Sequence, residues 1–141
     1  MKYHFKIHRE GSGFWAECLE IPGCVTQADT REELAVNMED AINTAILEPE
    51  GSKVLAPLPD GSLKPSRSIV EVKVHPQIAM GFWLRYTRLK EGMTQKAAAR
   101  KLGMKSLFSY QRLECGCNTT IAMMARLVAA FPLFNIDAVF N

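Results

Sequence analysis

The sequence predicts a small α+β module followed by an all-α module. Three observations carry that prediction. Apolar residues alternate with polar ones near the N-terminus and again at Val70, Val72 and Val74, the period of a half-buried strand. Helical spacing dominates from Phe82 onward. Charge also reverses: residues 1–77 hold 8 Lys and Arg against 12 Asp and Glu, and residues 78–141 hold 9 against 3. The boundary is therefore expected between 77 and 78. A basic half favours phosphate through counterion release, and an acidic half attracts a basic protein.

A chain of 141 residues with 48% hydrophobic content is long and apolar enough for one ordinary domain or two small ones. No apolar run approaches the ~20 residues that span a bilayer. Met1-Lys2-Tyr3-His4-Phe5 alternates where a signal peptide would be continuously apolar, so a cytoplasmic protein without membrane contact is expected. Its four cysteines, Cys18, Cys24, Cys115 and Cys117, are then expected to stay reduced.

In the first module, Tyr3, Phe5 and Ile7 define the buried face of one strand, with His4 and His8 outward. Gly11-Ser12-Gly13 turns the chain into Phe14–Leu19, and Pro22-Gly23 turns it into a third strand over Cys24 to Ala28. Thr30-Arg31-Glu32-Glu33 is a capping box, and Leu34, Met38, Ala41, Ile42 and Ala45 form one helical stripe behind it. Pro49 and Gly51 end that helix, 51–68 reads as a loop, and Val70–Val74 as a fourth strand. The expected order is β-β-β-α-β.

Catalysis is not expected. Glu17, Asp29, Glu33 and Asp40 are the available carboxylates for a metal-dependent nuclease, but capping explains Glu33 and the polar helix face explains Asp40. No base stands ready to activate a nucleophile. Cys115-Gly116-Cys117 lacks a second pair at zinc-finger spacing. Neither a metal nor another cofactor is predicted.

In the second module, a helix follows Pro76 and ends at Gly92, carrying Phe82, Leu84, Arg85, Arg88 and Leu89. Thr94 caps the next helix, Ala99 is small enough for a close helix crossing, and Gly103 marks a tight turn. Another helix runs from near Ser106 to Glu114, with Leu107, Tyr110 and Leu113 expected inward. A helix, turn and helix of this kind places its second helix in the DNA major groove. The expected DNA contacts are Thr94, Gln95, Lys96, Lys105, Ser106, Ser109, Gln111 and Arg112. Gln95 would hold a phosphate, while Gln pairs with adenine and Arg or Lys with guanine. Ile121, Met124, Leu127, Val128 and Phe131 form the expected core stripe of a further helix. Phe134, Ile136, Val139 and Phe140 are the expected homodimer contact.

Thr94-Gln95, Ala99, Leu102-Gly103, Glu114 and Gly116 resemble the Xre/Cro-like helix-turn-helix family, with one extra residue between Gly103 and Tyr110. The whole chain resembles HicB-type antitoxins. That resemblance rests on the opening strand, Gly13–Glu17, Ile21–Thr26, Ala28–Leu34, Gly103-Met104-Lys105 and Tyr110–Glu114, in that order. It implies a partial RNase H-like first domain (1–77) without RNase activity, which binds and masks a HicA-type mRNA-cleaving ribonuclease toxin. Polar groups around the first two strands and the 51–68 loop are candidates for that contact. It also implies a second domain (78–141) that forms a homodimer or higher homo-oligomer and represses its own operon by binding operator double-stranded DNA. The competing reading is a stand-alone helix-turn-helix regulator whose first domain senses a ligand, or whose Cys115 and Cys117 sense oxidants.

Overall fold

A computed structural model describes residues 1–141. It is an α+β structure: a four-stranded antiparallel sheet and six helices. The chain divides into two compact units, one of Met1–Ile46 with Ala56–Val74 and the other of Leu47–Leu55 with His75–Asn141.

In the first unit, β1 (Lys2–Glu10), β2 (Gly13–Cys18), β3 (Val25–Ala28) and β4 (Ile69–Lys73) lie in the order β3-β2-β1-β4. The register sets Phe5 opposite Cys18 and Val70, Tyr3 opposite Val72, and Ile7 opposite Ala16. Facing residues share a side of the sheet, so Tyr3, Phe5, Ala16, Cys18 and Val72 form one buried face. Helix α1 (Arg31–Ile46) buries Leu34, Met38, Ile42 and Ile46, a stripe four residues apart. Each such side chain contributes about 1.5–3 kcal/mol on leaving water. The Thr30 half of the expected capping box forms, the hydroxyl accepting from the Glu33 N–H at 3.2 Å.

The opposite sheet face corrects one expectation. His8 is partly open and stacks on Trp15 with centroids 4.0 Å apart, but His4 is only 4% exposed. Glu20 folds back over it, accepting from the His4 backbone N–H at 3.0 Å and lying 2.7 Å from Nδ1. The same carboxylate accepts from the Asp60 N–H at 3.4 Å, tying down the 56–63 stretch. Strand periodicity could not report a partner sixteen residues away in a loop.

In the second unit, α2 (Pro76–Lys90) is the central helix, with Ala79 to Arg85, Thr87 and Arg88 all buried. It is followed by α3 (Gln95–Lys101), α4 (Leu107–Glu114), α5 (Ile121–Ala130) and α6 (Ile136–Phe140), with α4 and α6 packed on α2 and α3 packed on α4. Gly81 is the point of closest approach of α2 and α4. A Cβ there would collide with the Glu114 carbonyl oxygen and come within 3.0 Å of the Gly116 nitrogen.

Three apolar assignments change. Leu107 is 41% exposed, because the inward positions of α4 are Tyr110, Leu113 and Glu114, not a stripe beginning at Leu107. In α5 only Leu127 is fully enclosed, while Ile121 and Val128 are 82% and 44% exposed. Phe134 and Val139, expected to be available to a second copy, are buried within this chain.

Candidate nucleic-acid interface

Two short helices frame the candidate site. Thr94 caps α3, its hydroxyl accepting from the Ala97 N–H at 3.1 Å. Gly103, at φ +67°, makes the turn after α3. Ser106 caps α4 in the same manner, accepting from the Ser109 N–H at 3.3 Å. Each cap satisfies a donor that the helix start leaves open, so Thr94 and Ser106 have a local structural task whatever else they contact.

Beneath the two helices sits a buried carboxylate. The Glu114 side chain is 3% exposed and accepts from both Nε and Nη2 of Arg88, the latter at 3.1 Å. The Tyr110 hydroxyl donates to Glu114 Oε1 at 2.8 Å, and Gln95 Nε2 donates to Oε2 at 2.9 Å. A carboxylate can only accept, so the Gln95 amide must turn its nitrogen inward and its oxygen outward. That oxygen accepts from Gln111 Nε2 at 3.2 Å. Gln95 and Gln111 are thus locked to each other, and through Glu114 to Arg88 in α2. Burial, reinforced by the Glu114 charge, pushes the Tyr110 phenol well above its usual range. For Arg88, burial works to lower the guanidinium and the Glu114 contacts outweigh it, leaving it above its usual value.

The eight residues singled out from sequence all fall on α3, α4 or the turn between them. Lys96, Lys105, Ser109 and Arg112 are exposed, as are the capping residues Thr94 and Ser106, whereas Gln95 and Gln111 are half-buried. Gln95 is therefore more committed than a free phosphate ligand, although one amide hydrogen remains. Gln111 keeps its oxygen and one N–H for an outside partner. No Asp or Glu occurs between Glu91 and Glu114, a stretch carrying Lys96, Arg100, Lys101, Lys105 and Arg112. Glu91 is itself paired with Lys101 at 2.8 Å. With Lys101 so paired, Lys96, Arg100, Lys105 and Arg112 leave the exposed side of α3 and α4 cationic.

Sequence reasoning missed two features here. An open cleft of about 530 Å³ beside the α3 start is lined by Lys53 as well as Thr94, Gln95 and Lys96, because the 47–55 segment belongs to this unit. The Arg88–Glu114 pair also went unrecognised, since a separation of 26 residues matches no local period. The only available hint was two charged residues at positions that helical spacing turns inward.

No group of three or more His, Cys, Asp or Glu side chains is arranged to hold a metal ion. Glu17 is paired with His8 at 2.9 Å. The four thiols are free, and only Cys115 is fully exposed. No helix is long and apolar enough to cross a membrane.

No family model matches the chain. It is similar to Antitoxin HicB of Pseudomonas fluorescens (strain Pf0-1), 28% identical over 104 residues, which is 74% of this chain and 70% of that protein.

Proposed function

We propose that this chain is an antitoxin that also regulates transcription. In this reading residues 1–77 bind and mask a small basic ribonuclease of the HicA type. Residues 78–141, as a homodimer, bind operator DNA and repress the operon encoding both proteins. The similarity to Antitoxin HicB carries the first part. The excess of 12 acidic over 8 basic residues in 1–77 supports a basic partner, since complementary charge speeds encounter and sets orientation.

The DNA part rests on the cationic side of α3 and α4 and on the Arg88–Glu114–Gln95–Gln111 chain. Holding Gln111 at a fixed height over α4 prepares its amide for two hydrogen bonds to an adenine edge. Ile121, Val128, Leu133 and Phe140, each at least 44% exposed, supply apolar surface for the second copy. A two-fold dimer would then meet two half-sites one helical turn apart.

The test uses the full chain and the small basic protein encoded beside it. Ribonuclease activity of that neighbour should vanish on adding one equivalent of this chain, with co-elution of the two. Undiminished RNA cleavage in excess of this chain would overturn the antitoxin reading. Operator binding is read separately, by mobility shift of the upstream DNA.

A further inference from the structure

The α4 helix opens with two large apolar side chains that its own unit leaves uncovered. Leu107 is 41% and Phe108 65% exposed, while Tyr110 and Leu113 behind them are buried. Leaving a phenyl ring in water is unfavourable relative to burying it. Its neighbours on the surface are Lys105, Ser109 and Arg112, with no acidic residue from Gly92 to Leu113. Whatever covers Phe108 must therefore offer apolar contact at the centre and negative charge around it. A second copy presenting the same face would bring like charges together, which disfavours it. The DNA major groove meets both demands, because thymine projects a C5-methyl group there and phosphates line both rims. The first residues of a groove-bound helix are those that reach the base edges.

We propose that Phe108 is a specificity-determining residue that packs against a thymine methyl group, with Leu107 beside it closing the contact from water. The proposal rests on the DNA-binding reading and adds to it a base identity that no hydrogen-bonding residue of the site supplies. Gln111 and Arg112 recognise purine edges; Phe108 recognises a methyl.

The experiment starts by selecting duplexes from a random library with the full chain. Each thymine of the enriched sequence is then replaced, one at a time, by deoxyuridine, which deletes only the methyl. At one thymine per half-site, affinity should fall about three- to fivefold, the amount associated with one methyl leaving an apolar contact. Phe108→Ala should bind the thymine duplex at least that much more weakly and no longer distinguish thymine from deoxyuridine at that position. Leu107→Ala should reduce the discrimination without abolishing it. Both positions are exposed, and unchanged circular dichroism verifies folding. If Phe108→Ala still discriminates as the parent chain does, the proposal is wrong. It is equally overturned if Phe108→Ala keeps full DNA affinity but loses self-association or toxin binding, which would assign the ring to a protein partner. Enrichment of no sequence by the parent chain would remove the DNA-binding reading itself, an outcome separate from the other two.

Discussion

Each unit encloses the side chain of one glutamate, and the two are used differently. The Glu20 side chain is 4% exposed and collects the His4 ring, the His4 and Asp60 N–H groups and the Cys18 thiol, the last at 3.5 Å. Most of these partners are backbone or near neighbours, so this carboxylate fastens loops onto the first residues of β1, an inner strand. Glu114 instead collects side chains from three helices: Arg88 of α2, Gln95 of α3 and Tyr110 of α4. It sets the angle and height at which two exposed helices are presented. A buried carboxylate that gathers backbone donors mainly preserves local structure. One that gathers side chains from separate elements also fixes the geometry of a surface.

That difference predicts unequal losses. Glu114→Ala strands the buried Arg88 charge and should destabilise the second unit by about 3–5 kcal/mol. Glu20→Ala leaves the His4 and Asp60 N–H groups without a partner but strands no buried guanidinium. It should destabilise the first unit by only about 1–3 kcal/mol. The two tryptophans, Trp15 and Trp83, lie in different units and report them separately in urea titrations of the Trp→Phe variants. Equal losses at the two sites would remove the distinction. Replacing Arg88 and Glu114 together by Met should recover much of the stability, since apolar isosteres of a buried pair are often neutral or better. DNA binding should not return with it, because Gln95 would have nothing to orient it.

The next effect tests packing. Gly81→Ala inserts a methyl where the Glu114 carbonyl already touches α2, so α2 and α4 must separate. Overpacking of this kind costs about 1–3 kcal/mol. The companion change Gly13→Ala in the first unit meets the Ala28 carbonyl oxygen at 3.0 Å, at a strand end that can shift, and should cost less.

How much of this was legible in the sequence depends on distance along the chain. The element order β-β-β-α-β followed from period-two alternation and turn residues, and the α1 stripe from its cap and a four-residue repeat, whereas no local signal placed β4 beside β1. The Thr94 cap and the Gly103 turn were also local signals, and they are what directed attention to the eight polar residues of α3 and α4 as candidates. What failed was non-local. His4 looked solvated because Glu20, which covers it, lies beyond two strands. Leu107 and Ile121 looked like core because a helical repeat gives a stripe without saying which end a neighbouring helix covers. Glu114, at the far end of α4 from Leu107, points inward beside Leu113, and a charged residue announces itself as surface until its partner is known.

Alkaline pH separates the units more gently. Burial raises the phenols of Tyr3 and Tyr110 above their usual value near 10. For each, the unfolded chain loses its proton first, so stability is intact below about pH 10 and falls as pH rises beyond it. The slope is at most about 1.4 kcal/mol per pH unit for each tyrosine. Tyr110→Phe should flatten this loss for the second unit alone, and Tyr3→Phe for the first alone, as read by the same two tryptophans. An unchanged slope in Tyr110→Phe would mean that burial beside Glu114 does not hold that phenol in its protonated form.

The smallest change in stability belongs to Arg112, and it isolates the surface from the network beneath. Arg112 is exposed near the end of α4 and only its interaction with the helix dipole is lost in Arg112→Ala, a matter of about 0.3–1 kcal/mol at most. Any large fall in DNA affinity would then arise from a direct contact rather than from disturbed folding. Two kinds of contact can be told apart by salt. Loss of one phosphate contact weakens every duplex alike and reduces the slope of log affinity against log salt by about 0.9. Loss of a guanine contact leaves that slope nearly unchanged and costs about 1–3 kcal/mol only on duplexes carrying that guanine. Its place one residue past Gln111, and four past the exposed Phe108, favours the base edge. The expected result is therefore a sequence-restricted loss, with a parallel titration of Lys96→Ala giving the uniform, salt-steep one.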